Sequence, residues 1–279
     1  MNRSPQLGID LGGSKIEIIA LHGGRELLRH RIATPQGDYR ATVAAICNLI
    51  TQAEQQLGRR GSVGVGIPGS RSPDHGRIKN ANSVCLIGED LQGDLQQALQ
   101  RPVALANDAD CFSLSEATDG AGENAATVFG VILGTGVGGG IVVNGRLLQG
   151  PNAIAGEWGH NPMPWPRAAT GAAIDCYCGK QDCIETFLSG PGWAARSGLG
   201  ISAEQLAASV RQGNPQAIQA LERYCEDLAR GLAAVIILLD PHVIVLGGGL
   251  SNMPELYQRV PLLLRRHVFA DQLNARLLP

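Results

Sequence analysis

The stretch QLGIDLGGSKIEIIAL, Gln6 to Leu21, decides how the rest of the chain is read. Gln6 to Asp10 has the composition of a short strand, Leu11 to Lys15 that of a tight glycine turn, and Ile16 to Leu21 is apolar and β-branched, a second strand. The product is a hairpin. Walker and Rossmann phosphate loops both lead from a strand into a helix, so neither layout applies. A phosphate gripped here would be held by backbone amides and the Ser14 hydroxyl. Taken alone, the segment is equally well an ordinary hairpin.

Two later strings spell the dinucleotide fingerprint and fail by context. Gly64-x-Gly66-x-x-Gly69 runs on into the turn Ser72-Pro73-Asp74 with no helix behind it. Gly134-x-Gly136-x-x-Gly139 follows the buried strand Thr127 to Leu133, and the glycine run to Gly140 leads into another strand, Ile141 to Val143. What remains is a second strand–glycine turn–strand unit, closed by the turn pair Asn144-Gly145. Two such hairpins predict two similar halves, each offering amides and a hydroxyl to one end of a polyphosphate.

Between and beyond them the periodicity predicts helices over Tyr39 to Leu57 and Leu91 to Leu99, and a strand over Val63 to Ile67 ending at Pro68-Gly69-Ser70. Asn80-Ala81-Asn82 reads as a polar loop suited to hydroxyl partners. A strand from Val103 to Ala106 delivers Asn107-Asp108 to the start of a helix, Ala109 to Ala117, where Asp108 is a helix cap or a base. An Asn214-Pro215 start opens a long helix with an apolar stripe through Leu239, and Asp240-Pro241 stops it. His242 to Leu246 is a strand ended by Gly247-Gly248-Gly249, and Met253 to Val268 a last helix.

The segment 156–185 carries a different chemistry. His160 is followed by Cys176-Tyr177-Cys178-Gly179-Lys180-Gln181-Asp182-Cys183, one imidazole and three thiols in a turn-rich stretch. That donor set is the ligand count of a closed structural zinc site, and Gly179 lets the chain turn back on itself. Glu157 and Glu185 bracket the ligands, so a bound metal would hold two carboxylates in place. The remaining cysteines, Cys47, Cys85, Cys111 and Cys225, are scattered, and an odd total without an export signal predicts a reducing cytoplasm. A net charge of −2 gives no footprint for nucleic acid or an anionic membrane, and no apolar run is long enough for a bilayer.

These motifs in this order, DLGGSK at 10–15, GIPG at 66–69, Asn107-Asp108, LGTGVGGG at 133–140, GEWGH at 156–160, CYCGKQDCIE at 176–185 and LGGGLSN at 246–252, resemble the ROK family of sugar kinases. Finer texture around Lys79 to Ser83, His160-Asn161-Pro162 and Cys176 to Lys180 is similar to its bacterial fructokinases (mannokinases). The resemblance implies the two-lobed α/β fold of actin, hexokinase and the Hsp70 ATPase domain, with a zinc-stabilised loop. Its lobes would be residues 1–110 and 111–279, the zinc segment in the second.

It further implies phosphorylation of D-fructose by ATP to D-fructose 6-phosphate, with a kinase for mannose, glucose or N-acetylglucosamine as the alternative. Asp108 would be the general base. Gly69, Asn82, Asn107, Glu157, His160 and Glu185 would contact the sugar with it. His160 would do so through one ring nitrogen while the other, with Cys176, Cys178 and Cys183, holds zinc. Gly12, Gly13, Ser14 and Lys15 match one phosphate loop, Thr135 and Gly136 the other, and Gly247, Gly248 and Gly249 the nucleotide-side turn. Asp10 would position magnesium through water. A homodimer is expected on the same resemblance.

Asp182 departs from the pattern, which carries glycine before the third cysteine, so a different loop geometry is expected there. Family members also run past this point into a glycine-rich segment and a final helix, which raises an inactive truncated homologue as a reading. A sugar-sensing regulator of the same family carries a DNA-binding helix-turn-helix ahead of the first strand, more than the nine residues before Asp10 would hold.

Overall fold

The computed structural model describes residues 4–81, 83–165 and 173–279. It divides into two compact units, Met1–Cys111 with Gln149–Ile154, and Phe112–Leu148 with Ala155–Pro279.

The first unit is a five-stranded sheet of β1 (Gln6–Leu11), β2 (Lys15–His22), β3 (Arg25–Ala33), β4 (Ser62–Ile67) and β7 (Val103–Asn107), in the order β3-β2-β1-β4-β7. A two-stranded ribbon, β5 (Ser70–Arg71) with β6 (Ile78–Lys79), stands beside it. The alternation of β1 and β2 explains the hairpin: Leu7, Ile9 and Leu11 lie opposite Ala20, Ile18 and Ile16, and all six are buried. Ile46, Leu49 and Ile50 of α1 (Tyr39–Leu57) and Leu91 and Leu95 of α2 (Leu91–Leu99) complete this core. Asp38 caps α1 through Ala41 N at 2.9 Å, and Gly58 ends it at φ 66°.

β1, β4 and β7 are parallel, so Asp10, Gly66 and Asn107 arrive together at their carboxyl ends, the edge at which open α/β sheets bind ligands. β3 is absent from the sequence reading. It is an exposed edge strand, RELLRHRIA, with no apolar alternation, held by its ladder to β2 and by Arg29 and Arg31 on Glu17.

A helix, α3 (Asp108–Asp119), follows β7 and leads to the second unit. There β8 (Thr127–Leu133), β9 (Val137–Val143), β10 (Arg146–Leu147), β11 (Val243–Gly247) and β12 (Arg276–Leu278) form a sheet in the order β10-β9-β8-β11-β12. Its pairing repeats the first sheet: an antiparallel trio, then two parallel neighbours. The two predicted hairpins are therefore equivalent members of two like sheets, one in each unit, as the two-lobed α/β expectation requires. The short helices α4 (Glu185–Leu188) and α5 (Gly190–Ser197), α6 (Ala203–Arg211), the long α7 (Pro215–Leu239) and α8 (Pro254–Leu264) cover it. Asn214 caps α7 with Pro215 at its first position.

Two expectations need correction. Gly138, Gly139 and Gly140 belong to strand β9 and not to the turn. Glycine is required at 139 by close approach, since a Cβ would lie 2.8 Å from the Trp158 ring and 2.9 Å from the Gly156 carbonyl. The last helix stops at Leu264, and the chain returns as β12 alongside β11. No described helix is long and apolar enough to cross a membrane.

Candidate functional site

At the carboxyl end of the first sheet, Gly12 N donates to Lys15 O at 3.0 Å, closing the first glycine turn. Thr34, unnoticed in the sequence, braces it by donating its hydroxyl to Gly12 O at 2.7 Å and its amide to Ser14 O at 3.0 Å. Asp10 faces Glu17 across the hairpin, and its carboxyl is pushed above its ordinary value, first by burial and then by Glu17. A carboxylate so placed gains from a nearby cation, which fits the part in magnesium positioning that the resemblance implies.

Two side chains share the start of α3. Asn107 Oδ1 accepts from Ala109 N at 2.9 Å and Asp110 N at 3.2 Å, so Asn107 caps α3, and its Nδ2 donates to Gly69 O at 2.9 Å. Asp108 Oδ1 also accepts from Ala109 N, at 2.8 Å. Gly69, Asn107 and Asp108 form one cluster. Asn82, also expected at the sugar, lies outside the described residues.

Gly69 must be glycine, because it sits at φ +86° and a Cβ there would lie 2.6 Å from Lys79 O. Gly69→Ala is expected to destabilise the protein by about 1–3 kcal/mol, read as a lowered denaturation midpoint. An unchanged midpoint would mean that the backbone relaxes.

In the second unit the two other glycine turns meet. Gly247 pairs with Ile132 across β11 and β8, and Gly248, at φ +85°, passes so close to Leu133 that a Cβ would be 2.5 Å from its carbonyl oxygen. Beside them opens a cavity of about 540 Å³ lined by Gly134, Thr135 and Gly249, and by Ala203, Glu204 and Arg211 of α6. The α6 residues were missed, although Ser202 and Gln205 form a capping box that the local S-x-x-Q pattern could have revealed. Glu185 borders the same turn: its Oε2 accepts from Val137 N at 2.9 Å, and a Cβ on Gly136 would lie 2.8 Å from that oxygen.

The histidine–cysteine segment hangs on β9. Trp158 is buried, donates its indole N–H to Gly138 O at 3.0 Å and meets Phe129 edge-on, which anchors the turn Trp158–His160. The cysteine loop is a small ribbon, with bridges between Asp175 and Gln181 and between Pro162 and Cys183, turning at Gly179 (φ +85°). It gathers the donor atoms of His160, Cys176, Cys178 and Cys183 within 4.8 Å of one another. Tetrahedral zinc with thiolate and imidazole ligands has donor–donor edges of roughly 3.5–3.8 Å. His160 Nδ1 lies 3.5 Å from Cys176 Sγ, and Cys178 Sγ 3.6 Å from Cys183 Sγ, so the set fits the metal. His160 Nε2 lies 2.9 Å from the Tyr177 hydroxyl, a neighbour the sequence did not announce.

Asp182 adopts the left-handed conformation, at φ 51°. Its carboxylate accepts from Ile174 N at 3.1 Å and from Arg196 Nη2 at 2.7 Å, while the Arg196 guanidinium lies over the Phe187 ring. Aspartate tolerates this region better than most residues, and the Arg196 contact helps hold it there.

Two like sheets with glycine turns at their carboxyl ends, a carboxylate beside a helix cap and a histidine–cysteine donor set define the class of ROK sugar kinases. The chain belongs to the ROK family, whose profile matches residues 6–277. It is 39% identical over 270 residues to an N-acetyl-D-glucosamine kinase of Yersinia enterocolitica, covering 94% of this chain and 89% of that one. Its fold is similar to that of the ROK hexokinase from Thermus thermophilus (TM-score 0.84, 29% identity, covering 98% of this chain and 92% of that one). It is also similar to a ROK glucokinase from Streptomyces griseus solved with glucose and AMPPNP (TM-score 0.81, 27% identity, 98% and 93% covered). The Yersinia relative is an N-acetylglucosamine kinase, so it does not support the fructose preference read from the sequence.

Proposed function

We propose that this protein is an ATP-dependent N-acetyl-D-glucosamine kinase. The observation that carries the choice of sugar is the 39% identity, across 94% of the chain, to an enzyme of that name. Asp108 takes the proton from the attacking sugar hydroxyl as its oxygen bonds to the γ-phosphorus, the bond to the bridging oxygen breaks, and ADP leaves. Such transfers need positioning and neutralised charge more than covalent help from the protein. Gly69, Asn107, Glu157, His160 and Glu185 position the sugar. The turn Gly12 to Lys15, Thr135 with Gly136, and Gly247 to Gly249 hold the nucleotide, for which the cavity beside Thr135 and Gly249 offers space. Asp10 aids the magnesium that accompanies ATP. His160, Cys176, Cys178 and Cys183 would hold zinc, whose contribution is to stiffen the loop.

The test is ADP release with magnesium-ATP against N-acetylglucosamine, fructose, mannose and glucose. We expect kcat/KM to be highest with N-acetylglucosamine by tenfold or more. A higher value with fructose would restore the fructokinase reading, and no turnover with any sugar by the folded, zinc-loaded protein would remove the kinase.

A further inference from the structure

The family resemblance has His160 turn one nitrogen to the metal and the other to the sugar. In this chain Nδ1 faces Cys176 Sγ at 3.5 Å, and the opposite nitrogen, Nε2, is engaged by the Tyr177 hydroxyl at 2.9 Å. The two rings meet edge-on at 90° with centroids 5.0 Å apart. A histidine ligated through Nδ1 is a neutral imidazole carrying its proton on Nε2, so Nε2–H donates and the tyrosine oxygen accepts. The phenol keeps its own proton to give to another acceptor.

Tyr177 is well placed to give it. Tyr177 is 65% exposed. Its hydroxyl is nevertheless turned in against His160, one of the groups of this unit assigned to the sugar. A tyrosine offers an apolar ring and a polar tip together, a combination common at ligand surfaces.

We propose that Tyr177, oriented by the metal-anchored His160, is a further sugar contact, donating its hydroxyl proton to a sugar oxygen in the place that the family resemblance gives to the His160 ring nitrogen. This rests on the sugar-kinase reading above. Tyr177→Phe gives a test with opposite signs. If the hydroxyl contacts the sugar, its loss weakens binding. If the sugar instead reaches His160 by displacing the tyrosine, removing the hydroxyl frees Nε2–H and binding stays the same or tightens.

The experiment is calorimetric titration of sugars into wild-type protein, Tyr177→Phe and Tyr177→Ala, with zinc content and the KM for ATP measured alongside. We expect the Kd for the preferred sugar to rise about five- to tenfold in Tyr177→Phe, the range of one hydrogen bond, and further in Tyr177→Ala. Zinc content and the KM for ATP should be unchanged. Unchanged or tighter sugar binding in Tyr177→Phe overturns the proposal, and so does loss of zinc, which would mark Tyr177 as a prop for the metal loop. If the wild type prefers another hexose but shows the same dependence on Tyr177, the contact stands and the N-acetylglucosamine assignment falls. If it prefers N-acetylglucosamine and ignores Tyr177, the reverse holds.

Discussion

Asp108→Ala is expected to lower kcat by roughly 10²- to 10⁴-fold, the usual contribution of a positioned general base, while sugar affinity changes less than threefold. The division of labour at the start of α3 makes this test clean. Asn107 caps both Ala109 and Asp110 and ties to Gly69, and it still holds Ala109 N when the Asp108 carboxylate that shares that amide is removed, so the helix start and the Gly69 loop stay in place. Asn107→Ala, by contrast, is expected to cost about 0.5–2 kcal/mol of stability through the lost cap. Single-turnover kinetics with saturating sugar, beside a thermal melt of each variant, separate the two effects. Substantial turnover by Asp108→Ala would remove it as the base, and a large stability loss in that variant would return it to the role of cap.

Disrupting the metal site is the second large perturbation. Cys183 is buried at 1% exposure, and its backbone bridges to Pro162 while Ile184 N donates to Asn161 O at 2.9 Å. Its sulfur is therefore where the ribbon meets the turn that carries His160. Structural zinc sites contribute up to ~10–16 kcal/mol in small peptides, and a share of that here is enough to decide whether the ribbon is ordered. Cys183→Ser, or a strong chelator on the native protein, should release zinc, lower the melting temperature and weaken sugar binding at least tenfold. Most of the helical signal should persist, because Leu221, Leu228 and Leu232 of α7 belong to a core built with β8, β11 and α8. Restoring zinc to the chelated protein should restore sugar affinity. A Cys183→Ser protein with full zinc and full affinity would refute the structural role.

Much of this architecture is local enough to be read along the chain. The Tyr39–Leu57, Leu91–Leu99 and Pro215–Leu239 helices follow from apolar spacing, and α1 and α7 carry legible caps at Asp38 and Asn214. Neither glycine hairpin could be a Rossmann loop, because β-branched residues resume at once after each turn. The metal donors were legible as residue types with a spacing that zinc accepts. Sugar identity was not, because the groups that bind hydroxyls are shared among hexoses, and the fructokinase texture lay in loop residues.

Residue types, caps and periodicity belong to neighbours in the chain, and so the strands, helices and metal-ligand set could be derived before any fold was known. The folded molecule was needed wherever the deciding partner lies far along the chain. β3 and β12 exist because β2 and β11 offer them an open ladder. Gly139 is glycine because Trp158 crosses it, and Asp182 keeps a glycine-like conformation with its carboxylate on Arg196. Which nitrogen of His160 faces the thiols depends on how the Trp158 anchor and the cysteine ribbon present the ring to one another. Short-range preferences choose the elements. The contacts that aim a side chain arise only when those elements pack.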